Sequence, residues 1–231
     1  MSVSEIRDAL KQIRKRVETA CRKVGRKPAE IEFVLITRNR TVPEIRDAVI
    51  AGCRHFGENR VQEAVQKLSF FDDDVKWHLV GHLQSVKTNS AVQVFSLMHT
   101  VDGMRIGYDL QRSCEKKGCD ANILIQVNTT EDDRQFGVYP SETINLIMEL
   151  IKFPQVHIRG LMTEFPPCED PEEARPRYRM LKSLSEEIRS AQIPGVEMNW
   201  LCMGSWNDIE VAVEEGSNIL RITDPIFPDE R

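Results

Sequence analysis

The strongest constraint on the fold is a regular alternation of short apolar runs with longer amphipathic segments. Eight runs have the length and composition of buried strands: 31–37, 53–58, 76–81, 96–102, 121–128, 157–163, 198–204 and 218–223. A helical pattern fills most of the gaps, and another helix over residues 3–25 precedes the first strand. Strands that alternate with helices are parallel and have right-handed connections. Eight of them favour a closed (β/α)8 TIM barrel over an open sheet.

A doubly wound open sheet is the alternative architecture, but no glycine-rich dinucleotide fingerprint follows the first strand. The 231 residues are 41% hydrophobic, which is enough for one barrel core. No repeat, low-complexity segment or linker divides the chain. We therefore expect a single α/β barrel domain over residues 1–231.

Composition excludes several classes of function. The net charge of -5 disfavours a general nucleic-acid binder. Residues 1–20 are charged and helical and lack the apolar core of a signal peptide, and no apolar stretch is long enough to span a bilayer. The six cysteines form no CxxC pair and no zinc-ligand cluster with the five histidines. We therefore expect a reduced cytoplasmic protein with no metal, membrane or nucleic-acid partner.

A TIM barrel places its active site at the C-terminal ends of its strands. The predicted strand ends carry a ring of polar residues: Thr37, Arg38, Glu58, Asn59, His82, Asp102, Asn128, Glu164, Ser205, Thr223 and Asp224. Strand ends are polar in many proteins. The ring therefore predicts a small-molecule pocket in the barrel mouth without naming its chemistry.

Five sequence words identify a family resemblance. They are FGENRVQEA (56–64), WHLVGHLQSVK (77–87), RGLMT (159–163), DPEEARP (170–176) and EEGSNILRI (214–222). In this order and spacing they resemble the pyridoxal-phosphate homeostasis proteins, the YggS-like family, over nearly the whole chain. The resemblance implies a barrel related to the N-terminal domain of alanine racemase, a monomer that carries pyridoxal phosphate. It also implies a role in regulating vitamin B6 and amino-acid pools, usually without established catalytic activity.

The family holds its cofactor through a lysine that lies nineteen residues before the glycine of its FGEN word. Counting back from Gly57 reaches Arg38. A Schiff base requires a neutral amine, whereas a guanidinium stays protonated. Arg38 could still bind a phosphate or carboxylate, or pair with an acid at the barrel mouth. We expect no Schiff-base catalysis, and pyridoxal phosphate to be weakly bound or absent.

The family's phosphate site also differs in this chain. Where relatives read SMGMS and RIGTAIFG, this chain reads CMGSWND (202–208) and RITDPIFPD (221–229). We expect Trp206 to fill the phosphate volume, Asp224 to repel the phosphate, and Pro225 to remove an N–H donor. By the resemblance, Arg221 matches an arginine near the pyridine nitrogen. The residues expected to contact a bound cofactor are Arg38, Asn59, Ser205, Arg221 and Thr223.

The outer helices keep the family's words while the pocket rim does not, as expected of a pocket refitted by divergence or by engineering. One hypothesis is therefore new catalysis, such as a hydrolase. Cys202 would be its nucleophile with His82 as the base, or else Glu164 or Asp224 would be a general base. His78 and His99 are the next candidate bases.

Structural alternatives stand beside this hypothesis. Cys202 is also predicted to be a small buried thiol of the barrel core, and Glu164 or Asp224 to be an ion-pair partner of Arg38. A third hypothesis is a non-catalytic module whose pocket is vestigial.

Overall fold

Eight parallel strands close into a barrel in the computed structural model of the chain, which describes residues 1–130 and 132–227. Each strand pairs with the next one along the chain, and the last pairs with the first. The strands are β1 (Glu32–Ile36), β2 (His55–Glu58), β3 (Lys76–Leu79), β4 (Leu97–Val101), β5 (Ala121–Gln126), β6 (Val156–Met162), β7 (Val196–Cys202) and β8 (Ile219–Ile222). The predicted TIM barrel is confirmed, and its strand bounds agree with the sequence prediction to within two residues.

Helices follow the first seven strands, and one more precedes β1. They are α1 (Val3–Val24), α2 (Val42–Ile50), α3 (Val61–Leu68), α4 (Thr88–Val94), α5 (Met104–Lys117), α6 (Pro140–Leu150), α7 (Arg175–Ser190) and α8 (Ile209–Glu214). Helix α1 begins at a capping box formed by Ser2 and Glu5 and ends at Gly25, whose φ of 70° requires the left-handed region. These local signals explain why its predicted bounds are nearly correct.

The barrel interior contains a small apolar cluster, separate from the larger core between the sheet and the helices. It consists of Val34, Val80, Leu97, Leu124, Met162, Cys202 and Ile219, with Ile36 and Trp200 packed against it. Successive side chains of a strand point to opposite faces, so every second residue points into the barrel. On β1 the inward series is Val34 and Ile36, and its continuation reaches Arg38.

Gly160 lies where the register between β6 and β7 shifts. A Cβ at this position would overlap the carbonyl oxygen of Trp200 on the neighbouring strand, and backbone atoms there cannot move aside. We expect Gly160→Ala to lower the free energy of unfolding by about 2 kcal/mol or more. Gly103→Ala is the matched control, because a Cβ at Gly103 meets nothing within 4 Å. We expect a loss below about 1 kcal/mol for the control. Urea denaturation of both variants measures the difference, and equal losses would contradict the steric account.

Candidate functional site

A cavity of about 330 Å³ lies at the C-terminal ends of the strands. Its lining comprises Ile36, Arg38, Asn59, Val80, Gly81, His82, Thr100, Gln126, Phe136, Glu164, Ser205, Arg221 and Thr223. The cavity brings together seven residues that the sequence proposed: Arg38, Asn59, His82, Glu164, Ser205, Arg221 and Thr223. Cys202 and Asp224 are not part of this lining.

Arg38 lies in the turn directly after β1 and is exposed to solvent. Its side chain lines the cavity, as its place in the inward series of β1 requires. The guanidinium makes no hydrogen bond or ion pair within residues 1–130 and 132–227. The mouth of the barrel therefore presents a cation that the described chain leaves unneutralised.

Arg221 is the second arginine of the cavity, and its charge is already neutralised. One guanidinium nitrogen, Nη1, donates to Glu164 Oε2 at 2.9 Å, and Nη2 donates to the Thr163 carbonyl oxygen at 3.4 Å. The side chain is 12% exposed, and Glu164 is half exposed. Glu164 thus pairs with Arg221 on β8, rather than with Arg38 as one structural alternative proposed. This pair leaves Arg38 as the available anion-binding group.

His82 forms one aromatic wall of the cavity with Phe136. The two rings stack at a centroid distance of 4.5 Å and an interplanar angle of 20°. His82 Nδ1 lies 3.8 Å from Asp102 Oδ2, and burial raises the pKa of Asp102 although His82 opposes this shift. A stacked pair of flat rings suits a planar ligand. Phe136 was not proposed from the sequence because it lies in the loop after β5, outside any recognised word.

Gln126 is a further cavity residue that the sequence reasoning missed. The residue is 5% exposed, and its Oε1 is buried without a hydrogen-bond partner among the described residues. Its Nε2 donates to the Phe136 carbonyl oxygen at 3.4 Å. Alternation along β5 places Gln126 two residues beyond the inward Leu124, a signal that could have identified it. A ligand with an N–H or O–H group would satisfy this acceptor.

The loop after β7 uses its own donors internally. Ser205 donates to Asp208 Oδ1 from both its backbone N–H (2.6 Å) and its hydroxyl (3.1 Å). The backbone N–H of Asp208 donates to the Ser205 carbonyl oxygen at 3.3 Å. Tyr178 donates its hydroxyl to the other carboxylate oxygen of Asp208 at 2.5 Å. The Asp208 carboxylate therefore accepts hydrogen bonds from N–H and O–H groups that would otherwise be available to a bound phosphate.

The loop after β8 also uses backbone N–H groups for hydrogen bonds within the loop. The backbone N–H groups of Ile226 and Phe227 both donate to the Thr223 carbonyl oxygen, at 3.1 and 2.8 Å. Pro225 has no N–H to offer. Asp224 is exposed to solvent and does not line the cavity, so the structure does not place it as a general base for a ligand bound there.

Trp206 does not fill the cavity, contrary to the sequence expectation. Its ring lies under the guanidinium of Arg16, 4.4 Å from the ring centroid, and packs against the outer core. Arg16 also donates to the Trp206 carbonyl oxygen at 2.6 Å and to Glu210 at 2.7 and 2.5 Å. Arg16 of α1 therefore holds Trp206 on the outside of the barrel. This contact joins distant segments, so the local sequence word does not reveal it.

Cys202 lies inside the barrel and is fully buried. Its Sγ is 3.4 Å from His99 Nδ1, and burial raises the pKa of the thiol to about 11. The thiol is therefore protonated near neutral pH, is paired with His99 rather than His82, and does not line the cavity. This arrangement is that of the buried structural thiol and gives no support to a nucleophile acting on a ligand in the cavity.

Within residues 1–130 and 132–227, no group of three or more His, Cys, Asp or Glu side chains is placed to hold a metal ion. Over the same described residues, none of the helices is both long enough and apolar enough to span a bilayer.

Comparison with known proteins identifies the family. A family model described as the N-terminal domain of alanine racemase matches residues 9–205. The pyridoxal phosphate homeostasis protein of Aquifex aeolicus strain VF5 is 33% identical over 227 residues, which cover 97% of this chain and 98% of that protein. The chain belongs to the pyridoxal phosphate homeostasis family. The resemblance of the sequence words is thereby confirmed.

Solved structures support the same family. PipY of Synechococcus elongatus PCC7942, solved without pyridoxal phosphate, is 31% identical, with a TM-score of 0.81 over 94% of this chain and 100% of PipY. PipY has also been solved with pyridoxal phosphate bound. Alanine racemase of Clostridium difficile 630 is 13% identical, with a TM-score of 0.78 over 96% of this chain and 57% of the racemase. At that identity the racemase is similar in fold alone.

Proposed function

We propose that this homeostasis-family barrel binds a small anionic molecule in its mouth without a covalent anchor. The observation that carries the proposal is the exposed guanidinium of Arg38, which lines the cavity and has no partner among the described residues. A phosphate or carboxylate would complete that site by charge-assisted hydrogen bonds. Pyridoxal phosphate is the ligand that the related protein PipY suggests, because PipY has been solved with it bound.

The cavity does not fit covalent attachment of pyridoxal phosphate. No lysine is among the described residues that line it. Lys67 is near the end of β1, but its Nζ donates to the Thr37 carbonyl oxygen and to Glu58, at 2.9 and 2.5 Å. The two loops that would cradle the phosphate also use several of their N–H groups internally. Binding through Arg38 alone accounts for these features, and we infer that position 38 has lost the family's lysine.

The remaining cavity groups suggest the shape of the ligand. The stacked rings of His82 and Phe136 suit a planar ring, and Gln126 Oε1 requires a donor. A pyridine-type ring with a phosphate and a hydroxyl group has all three features. Arg221 would contribute less to the binding energy, because Glu164 already neutralises it.

The geometry does not support hydrolysis, because the candidate nucleophile and both candidate carboxylate bases are unsuitably placed, although His82 lines the cavity. Cys202 is a buried protonated thiol, Glu164 is paired with Arg221, and Asp224 lies outside the cavity. We propose instead a non-catalytic role in maintaining vitamin B6 pools, as a cytoplasmic monomer without a nucleic-acid partner.

Pyridoxine phosphate and pyridoxine provide the direct test, because neither has an aldehyde and both can bind only non-covalently. We expect the phosphate form to bind at least about tenfold more tightly, since charge-assisted hydrogen bonds to a guanidinium contribute about 1.5–3 kcal/mol. In Arg38→Gln this preference should disappear. Isothermal titration calorimetry at low salt measures both affinities.

Arg60→Gln is the matched control, because Arg60 is a neighbouring loop arginine whose side chain is 76% exposed and pairs only weakly with Glu63, at 3.7 Å. The control should keep the phosphate preference. Equal affinity for the two compounds in the unchanged chain would contradict the proposal. So would a preference that survives in Arg38→Gln.

A further inference from the structure

A continuous chain of imidazole rings runs inside the barrel. His55 Nδ1 lies 2.9 Å from His78 Nε2, and His78 Nδ1 lies 2.9 Å from His99 Nε2. His99 Nδ1 then lies 3.4 Å from Cys202 Sγ. At the other end, His55 Nε2 lies 3.5 Å from Glu32 Oε2. Five side chains from β1, β2, β3, β4 and β7 thus form one chain, which we call the histidine chain.

Strand register explains why the rings meet. His55 is aligned with Lys76, so His78 lies two residues further along its strand. His78 is aligned with Leu97, so His99 again lies two residues further. A step of two residues keeps the side chain on the inward face, so each ring is one layer closer to the C-terminal end than the last. The histidine chain therefore crosses the barrel diagonally.

The central rings are neutral. His78 and His99 are 5% and 0% exposed, and burial lowers the pKa of His78 to about 3 and that of His99 well below its ordinary value. A neutral imidazole has one N–H donor and one acceptor nitrogen. Each ring can therefore donate to one neighbour and accept from the other, so the tautomer of one ring dictates that of the next.

Glu32 determines the direction of donation. Its carboxylate can only accept, so His55 carries its proton on Nε2 and accepts on Nδ1. His78 must then donate from Nε2 and accept on Nδ1, and His99 must do the same. The last donor is the thiol of Cys202, which donates S–H to His99 Nδ1. In the opposite direction the Nε2 lone pair of His55 would face the Glu32 carboxylate, so this direction is the favoured one.

We propose that the histidine chain is a proton path between Cys202 and the N-terminal face of the barrel. In one concerted shift the S–H bond breaks and His99 gains a proton on Nδ1. His99 passes its Nε2 proton to His78 Nδ1, and His78 passes its Nε2 proton to His55 Nδ1. The products are a thiolate at Cys202 and an imidazolium at His55, so the net charge is unchanged.

Both ends have groups that stabilise these products. Glu32 faces the imidazolium, which is partly solvated because the His55 side chain is 31% exposed. His55 lies beside another cavity, of about 350 Å³, on the N-terminal face of the barrel. Lys76 opposes the charge on His55. At the Cys202 end of the histidine chain, burial raises the pKa of the thiol, while Arg221 lowers it. The neutral form is therefore the resting state, and the thiol loses a proton through the histidine chain when base removes one from His55 on the N-terminal face.

The rate at which the thiol ionises tests the path. Infrared difference spectra follow the loss of the S–H stretch after a rise in pH, and Cys202→Ser assigns the band. Cys21 and Cys114 are internal controls, because both are 0% exposed and neither belongs to the histidine chain. We expect Cys202 to ionise at least about tenfold faster than either control, because the controls must wait for the fold to open. In His78→Gln, Cys202 should slow to the rate of the controls. His55→Gln repeats the test at the partly exposed end, where a substitution disturbs the core less.

Two results would overturn the proposal. If Cys202 ionises no faster than Cys21, or if neither histidine variant slows it, the rings are packing groups only. Nitrogen-15 spectra of the histidine rings provide an independent readout of direction, with Nε2–H expected for both His78 and His99. An Nδ1–H tautomer at either ring would contradict the assigned direction.

Discussion

Arg38→Lys is expected to give the protein Schiff-base absorption when mixed with pyridoxal phosphate, whereas the unchanged chain gives none. The reason is chemical: a lysine amine can lose its proton and attack an aldehyde, and a guanidinium cannot. Position 38 continues the inward series of β1 and lines the cavity, so a lysine there would present its amine to a bound ligand.

Arg60→Lys is the matched control, because it adds a lysine at the same barrel end on a side chain that points to solvent. Borohydride reduction followed by peptide mass analysis locates the adduct at position 38 or elsewhere. A specific adduct in the unchanged chain would mean that another lysine is the anchor. No adduct in Arg38→Lys would mean that the cavity does not hold the ligand, which also contradicts the proposed binding.

The barrel was predictable because its signals are local. Alternation along each strand and the spacing of the apolar runs require only the pattern of residues, and strand bounds were accordingly correct to within two residues. Six of the seven predicted cavity residues followed from one rule, that strand ends meet at one rim of the barrel, and Arg221 followed from the family resemblance. The family resemblance pointed to position 38 in particular, and the structure places Arg38 at the cavity.

Side-chain partners were not predictable, because they depend on contacts between distant segments. Trp206 was expected in the cavity, but Arg16 of α1 holds it outside. Glu164 was expected to pair with Arg38 and pairs with Arg221 instead. His99 is the neighbour of Cys202 because β4 and β7 face each other across the barrel interior, a contact that no sequence word records. Local patterns specify positions on the barrel, whereas pairing is decided by packing around them.

Lys67 was overlooked because a single lysine in a surface helix is usually solvated. In the structure it is 9% exposed and donates to Glu58 Oε1 at 2.5 Å and to the Thr37 carbonyl oxygen at 2.9 Å. The Thr37 hydroxyl donates to the same carboxylate oxygen at 2.6 Å, and Glu58 is fully buried. These contacts link α3 to the ends of β1 and β2, directly beside Arg38, so the network positions the strand end that presents Arg38 to the cavity.

Lys67→Met is therefore expected to have the largest effect on stability of any single change considered. It removes the cation and leaves the Glu58 carboxylate buried without compensation, which costs about 3–5 kcal/mol near neutral pH. Lys11→Met is the control, because the Lys11 side chain is 75% exposed, and its effect should stay below about 0.5 kcal/mol. Guanidinium denaturation of the three proteins measures these differences.

The pH dependence distinguishes a charge effect from a packing effect. Burial raises the pKa of Glu58 above its ordinary value of 4.5, and Lys67 opposes that shift. Without Lys67 the folded-state pKa rises further, so the folded variant binds a proton at pH values where the unfolded chain does not. Its stability should then recover relative to the unchanged chain as the pH falls from about 7 toward about 5. Adding Glu58→Gln should recover stability in the same way at neutral pH, because it removes the uncompensated charge. A loss that is constant with pH and persists in the double variant would assign the effect to packing.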